Sequence, residues 1–193
     1  NIESVVSCFT PGTRIVCQGG AIEVESLRLG DLVMTRDHGL QPVRWIGSRK
    51  LGLGELLSDP LLQPVRIAAG ALGNGLPERD MLLSRQHRML LSGPTAQLLF
   101  GSDEVLVRAA HLVGLPGITE SFQRDVSYLH VMFDRHEVIL ADGAWSESFQ
   151  PGDRGLSGLE ADQRDELLKI FPELGQEAAS PHFDAARLTL KSY

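Results

Sequence analysis

Ser7-Cys8-Phe9-Thr10-Pro11-Gly12-Thr13-Arg14-Ile15-Val16-Cys17 decides how the rest of the chain is read. A cysteine follows an extended leader, Ile2-Glu3-Ser4-Val5-Val6, and precedes a Pro-Gly turn that opens a strand-like run ending at Cys17. The leader has strand character and no start of its own, so the chain reads as a module of a longer polypeptide, with residues 1–7 an upstream flank. Cys17, next to Gly19-Gly20, reads as a small strand residue beside a turn. Cys8 stands where a nucleophile could act on the peptide bond before it. Two cysteines are too few for a disulfide framework, although Cys8 and Cys17 could pair across a hairpin.

Outward from this stretch the pattern stays β. Leu32 to Thr35 is a strand, and Asp37-His38-Gly39 is a hairpin signal. Gln41 to Gly47 is a further run entered through Pro42. Residues 51–80, broken by Pro60, Pro64, Pro77 and several glycines, read as a loop-rich insertion in which only Val65 to Ala69 is strand-like. Met81 to Leu91 places two apolar strands around a polar corner, Ser84-Arg85-Gln86-His87, a rigid way to hold a catalytic side chain. Glu104 to Gly114 combines strand and helical turn and faintly echoes Glu25 to Val33, which suggests an internal duplication. His111 there reads as a partly buried structural residue.

Val126 to Phe133 alternates as a strand and puts Tyr128 and His130 on one face. That pair is either a satisfied half-buried surface or one wall of a site. Asp134-Arg135-His136 reads as a turn, Glu137 to Leu140 as a strand, and Ala141-Asp142-Gly143 as a turn before Trp145. Beyond Pro151-Gly152, residues 158–171 have helical spacing up to Pro172, a second helical segment covers 182–190, and His182 reads as solvated surface. Short strands with regular turns define an all-β domain over residues 8–150, with a helical extension over 151–193.

With 18 basic and 25 acidic residues among 193, the chain carries −7, which argues against nucleic acid or an anionic membrane as a partner. No apolar run approaches the ~20 residues a membrane helix needs, and no cofactor motif is present. Neither the oligomeric state nor the cellular location is set by the sequence.

Cys8-Phe9-Thr10-Pro11-Gly12-Thr13 resembles the opening of the Hint family, the fold shared by Hedgehog autoprocessing domains and inteins. Glu25-Ser26-Leu27-Arg28-Leu29-Gly30-Asp31-Leu32-Val33 is similar to that family's acidic-x-Leu-x-x-Gly-Asp-x-Val segment. Ser84-Arg85-Gln86-His87 is similar to its Thr-x-x-His, with Ser for Thr. Tyr128-Leu129-His130-Val131, Asp134-Arg135-His136 and Ala141-Asp142-Gly143 resemble its last strands. The match runs in order from residue 8 to about 149 and is strongest to bacterial Hint-type domains at the ends of larger, often exported, proteins.

The resemblance implies a pseudo-twofold all-β horseshoe with a site in its central cleft, to which the helical spacing beyond residue 150 adds a small C-terminal appendage. It implies that Cys8 attacks the Ser7 carbonyl in an N-to-S acyl shift, that His87 protonates the leaving nitrogen, and that Ser84 holds the scissile backbone. His130, Asp134 and His136, in that order, are the candidates to take the Cys8 proton. The substrate is the chain's own upstream polypeptide, and water or another small or protein nucleophile is the acceptor. Inteins end in His-Asn, whereas Gly143-Ala144-Trp145-Ser146-Glu147-Ser148-Phe149 has neither, so cleavage without splicing is expected. Ser48 stands near the position of the Hedgehog sterol-activating aspartate, so sterol transfer is not expected. Three other readings compete: an inactive β-rich binding or structural module, a metal site from Cys8, His87, His130 and His136, and a cysteine peptidase acting in trans. The loose His130-x₅-His136 spacing weakens the metal reading.

Overall fold

The structure, a computed structural model, describes residues 7–149 and Ala186. Among these residues thirteen short strands dominate: β1 (Arg14–Cys17), β2 (Gly20–Glu23), β3 (Leu32–Thr35), β4 (Gly39–Pro42), β5 (Trp45–Leu51), β6 (Val65–Ile67), β7 (Met81–Leu83), β8 (Arg88–Ser92), β9 (Glu104–Arg108), β10 (Ile118–Glu120), β11 (Val126–Met132), β12 (Val138–Ala141) and β13 (Ala144–Glu147). Three short helices accompany them, α1 (Leu53–Ser58), α2 (Pro94–Phe100) and α3 (Ala109–Leu112). The fold is mostly β with open sheets, as expected.

One eight-stranded sheet runs β2-β1-β3-β12-β13-β8-β9, with β4 paired to β3. Separate ladders join β10-β6-β7 and β11-β5, all antiparallel. Phe9 joins those two ladders, bridging Leu83 on β7 and Leu129 on β11. Its amide donates to Leu129 O, and Leu129 N donates back to Phe9 O, both at 2.9 Å. The chain at Cys8 is thus clamped between two ladders at the centre of the molecule. Phe9, Leu83, Leu129, Val131 and Ile139 belong to one continuous buried core, which holds that clamp against solvent.

The suspected duplication is visible as a repeated pattern. Hairpin β1–β2 is followed by a 3-10 turn at Val24–Ser26, and β8 and β9 are followed by α3. The same bond closes each unit: Val24 N to Thr13 O at 2.8 Å, and Ala109 N to His87 O at 2.7 Å. The apolar pairs that first suggested it are not equivalent, because Leu32-Val33 opens β3 while Leu112-Val113 ends α3.

Several local expectations need correction. The run from Gln41 to Gly47 is two strands, since Val43 and Arg44 turn away to bond Asp31 O and Met132 O. The insertion at 51–80 holds helix α1, whose buried Leu56 anchors it, and a 3-10 turn at Pro60–Leu62 capped by the Asp59 side chain on Leu61 N at 3.1 Å. Cys8 and Cys17, whose pairing the sequence left open, are not joined by a disulfide. His111 is exposed at the end of α3. The expected C-terminal helices and His182 lie outside the described residues. Among the described residues, no helix is long and apolar enough to cross a membrane.

Candidate active site around Cys8

The corner between β7 and β8 carries Ser84 and His87. His87 N bonds Ser84 O at 3.1 Å, which tightens the turn, and Ala110 N and Ala109 N bond Arg85 O and His87 O at 3.0 and 2.7 Å. Ser84 and His87 are both fully buried. The turn therefore has little freedom, and both side chains point from a fixed backbone toward Cys8.

The nitrogen and the oxygen of the Ser7–Cys8 peptide meet different side chains. Cys8 N donates to Ser84 Oγ at 3.0 Å. The Ser7 carbonyl oxygen lies 3.1 Å from His130 Nδ1. That same nitrogen is 3.5 Å from Cys8 Sγ. His87 Nδ1 lies 3.1 Å from Ser7 Oγ. His87 thus stands over the bond without yet engaging its nitrogen, the loose geometry expected before a reaction tightens it.

His130 reaches this position from the middle of β11, opposite Gly47 of β5. Its ring is held by Trp45, stacked at a centroid distance of 6.2 Å, and by Phe149, edge-on at 5.1 Å. The open choice about the Tyr128–His130 face resolves into one wall of a site. Tyr128 packs with Cys8, Leu51, Leu56, Leu62 and Val126, and its hydroxyl donates to Leu62 O at 2.8 Å. The insertion therefore covers the thiol, leaving Cys8 only 1% exposed.

Burial sets the charge state. Desolvation pushes the Cys8 thiol well above the usual thiol range, against a hydrogen bond from Ser84 that favours the thiolate. Desolvation also lowers His87 to about 4, although the nearby Glu147 works the other way. His130 falls to about 4 for the same reason, partly offset by its contact with the Ser7 carbonyl. At neutral pH the site rests as one thiol and two neutral imidazoles. It can move a proton internally from sulfur to nitrogen, and it does not store a thiolate.

Two of the candidates stand elsewhere. Asp134 lies past the end of β11, ~13 Å along the chain from His130 at strand rise. Its carboxylate is 3.1 Å from Arg44 Nε, with 58% of the side chain exposed. His136 is buried, but it accepts the Ala186 amide at Nδ1 at 3.1 Å and turns Nε2 toward Glu147 Oε2 at 3.4 Å. That contact is electrostatic, too poorly aligned for a hydrogen bond. The four residues of the metal reading are therefore not gathered, and no cluster of three or more metal-ligating side chains occurs among the described residues.

Sequence reasoning missed Trp45, Gly47, Phe149 and Glu147. Glycine at 47 leaves room for the Trp45 indole, since a Cβ there would lie under 3.0 Å from three ring atoms. Glu147 sits in the polar run Ser146-Glu147-Ser148, which carries no local signal of its burial.

The Hint domain family matches residues 7–153 of the chain. No curated protein matches. Among solved structures, the chain is similar to a bacterial intein-like domain from Clostridium thermocellum, at 12% identity and a TM-score of 0.46, covering 75% of this chain and 100% of that one. It is similar also to the gp41-1 intein, at 13% identity and a TM-score of 0.43, covering 74% and 98%. The MchDnaB-1 intein follows at 10% identity and a TM-score of 0.45, covering 73% and 99%. The chain therefore belongs to the Hint domain family, a fold that points to self-processing in general.

Proposed function

We propose that this chain cleaves its own Ser7–Cys8 bond once, by an N-to-S acyl shift whose thioester is then resolved by water or an external nucleophile. The observation that carries this reading is the placement of His130 Nδ1 within 3.1 Å of the Ser7 oxygen and 3.5 Å of Cys8 Sγ, with Ser84 Oγ on the Cys8 amide. His130 accepts the thiol proton as Sγ adds to the Ser7 carbonyl carbon. The Nδ1–H so formed faces the oxyanion that develops on the Ser7 oxygen, which it stabilises. Collapse breaks the C–N bond, and His87 delivers a proton to the departing Cys8 nitrogen, a contribution of ~10²–10⁴-fold. His87, neutral at rest, first takes up that proton from solvent and His130 afterwards releases the thiol proton to solvent, so sulfur loses one proton, nitrogen gains one, and both imidazoles end neutral.

Ser84 holds the amide by accepting its N–H, which fixes the orientation of the scissile bond beside Cys8 Sγ. Ligation of flanking segments is not part of this reading. Residues 143–149 lack the His-Asn pair, and Phe149 packs its ring against His130.

The test places a reporter upstream of Ser7 and follows SDS gels for the parent, Cys8→Ala and His87→Ala, with and without dithiothreitol. A thiol-accelerated upstream fragment from the parent alone is expected. No fragment under any condition refutes self-cleavage, and a cut at another bond refutes the mechanism.

A further inference from the structure

One buried charge beside the cleft has no part in the reaction described above. Glu147, in β13, is 1% exposed. Its Oε1 accepts the Arg88 amide at 2.9 Å, and its Oε2 takes Arg88 Nη1 at 2.8 Å. Register places it there, because β13 pairs with β8 at Ser146 and Met89. The carboxylate thus lies against the peptide that follows His87. A carboxylate without water is costly unless cations and hydrogen bonds surround it. Burial alone would raise its pKa, but the His136 contact and the Arg88 charge outweigh this and hold it at about 2. It is a permanent anion.

We propose that Glu147 is a positioning residue for the reaction proposed above, its fixed negative charge stabilising the protonated His87 that must hand a proton to the Cys8 nitrogen. An imidazole this deeply buried resists protonation, and a neutral His87 is a poor acid toward an amine. The charged and titratable groups around it divide by sign. Glu147 from β13 favours the imidazolium, whereas Arg88 from β8 and His130 from β11 oppose it. The Cys8 thiol and the Phe9 ring, 4.5 Å away, add burial without charge. Burial of His87 makes the acid step difficult, and Glu147 reduces that difficulty without touching the reacting atoms.

This inference rests on His87 being the acid, so its test has a readout that does not need cleavage. The full chain, labelled with ¹⁵N-histidine and blocked by Cys8→Ala, is titrated by NMR, and the His87 midpoint is compared in Arg88→Met and in Arg88→Met/Glu147→Gln. Those two differ by the charge at 147, and neither leaves the Arg88 guanidinium orphaned. The midpoint is expected to rise in Arg88→Met. It is expected to fall again in the double variant by about one to two pH units, the effect of a unit charge roughly 6–12 Å away at an effective dielectric of about 20. Glu147→Gln alone should lower it below the parent. With Cys8 restored, Glu147→Gln should cleave about tenfold more slowly than the parent, and Arg88→Met should not be slowed.

A structural ion pair predicts instead that both single variants act in the same direction through lost stability. Equal midpoints in Arg88→Met and the double variant overturn the proposal. A parent chain that never cleaves refutes the proposed function and leaves the titration result standing by itself.

Discussion

His130 is assigned two tasks through one nitrogen, and substitution can separate them. In His130→Asn the side-chain amide nitrogen falls near the Nδ1 position, so a donor still faces the Ser7 oxygen, now 3.1 Å from Nδ1. That amide cannot accept the thiol proton. Loss of the base costs ~10²–10⁴-fold. His130→Ala removes the donor as well, a further ~10²–10³-fold for a lost oxyanion contact. The order parent, Asn, Ala, with a gap of at least about a hundredfold at each step, is therefore expected in the rate of upstream-fragment release at pH 7 and fixed dithiothreitol. The ring also fills space between Trp45 and Phe149, so Ala leaves a cavity worth ~3–5 kcal/mol of stability. Thermal melts of both variants, with rates taken well below the lower midpoint, keep unfolding out of the comparison. Equal rates for Asn and Ala would refute the carbonyl contact. An Ala variant within tenfold of the parent would refute the role of His130 altogether.

Acid should act on both rate and stability. His130 and His87 fall from 6.5 to about 4 on burial, so release should speed up as pH falls from 7, because more His87 carries the proton it must donate, and decline below about 4, where His130 protonates and can no longer accept. The unfolded chain binds those protons first, so the stability contributed by the neutral rings is complete above about 6.5 and is lost as pH falls toward about 4. The loss is on the order of 3 kcal/mol per ring. Urea midpoints at pH 7 and 4.5 measure it, and equal midpoints would contradict the burial argument. Ser84→Ala strands the buried Cys8 N–H, costing ~1–3 kcal/mol and slowing release by about ten- to a hundredfold, with Ser84→Thr restoring most of the rate; a parental rate in the Ala variant would remove Ser84 from the site. Gly47→Ala forces Trp45 off its stack on His130. It should destabilise the fold by ~1–3 kcal/mol and impair release, and a variant with parental melting and parental rate would show that the Trp45 shelf is dispensable.

Much of the frame was legible because strands announce themselves locally. The alternation of β11, the apolar runs around the Ser84–His87 corner and the Asp37-His38-Gly39 turn are readable from side-chain period and turn chemistry alone. Helix α1 was not, since six residues broken by Gly54 have weak propensity and are held by Leu56 packing under the Cys8 wall. Cys8, Ser84, His87 and His130 were all singled out from motif position. Asp134 and His136 shared that credit with His130 because all three fall within seven residues of one another, and only three-dimensional direction separates them.

The sequence alone determines the all-β character, the place of most strands and the residue types able to move a proton near Cys8, since each depends on a few neighbouring residues. Tertiary structure decided which of them meet. The Phe9 clamp between β7 and β11 carries Cys8 to residues 76 and 122 positions away. Strand register, a long-range property, turned His130 toward the peptide, while His136, between β11 and β12, faces Glu147. Burial then held both imidazoles and the thiol neutral. The charge state of Cys8 and its neighbours follows from exclusion of water, and that is a property of the packed whole, invisible in any stretch of the chain.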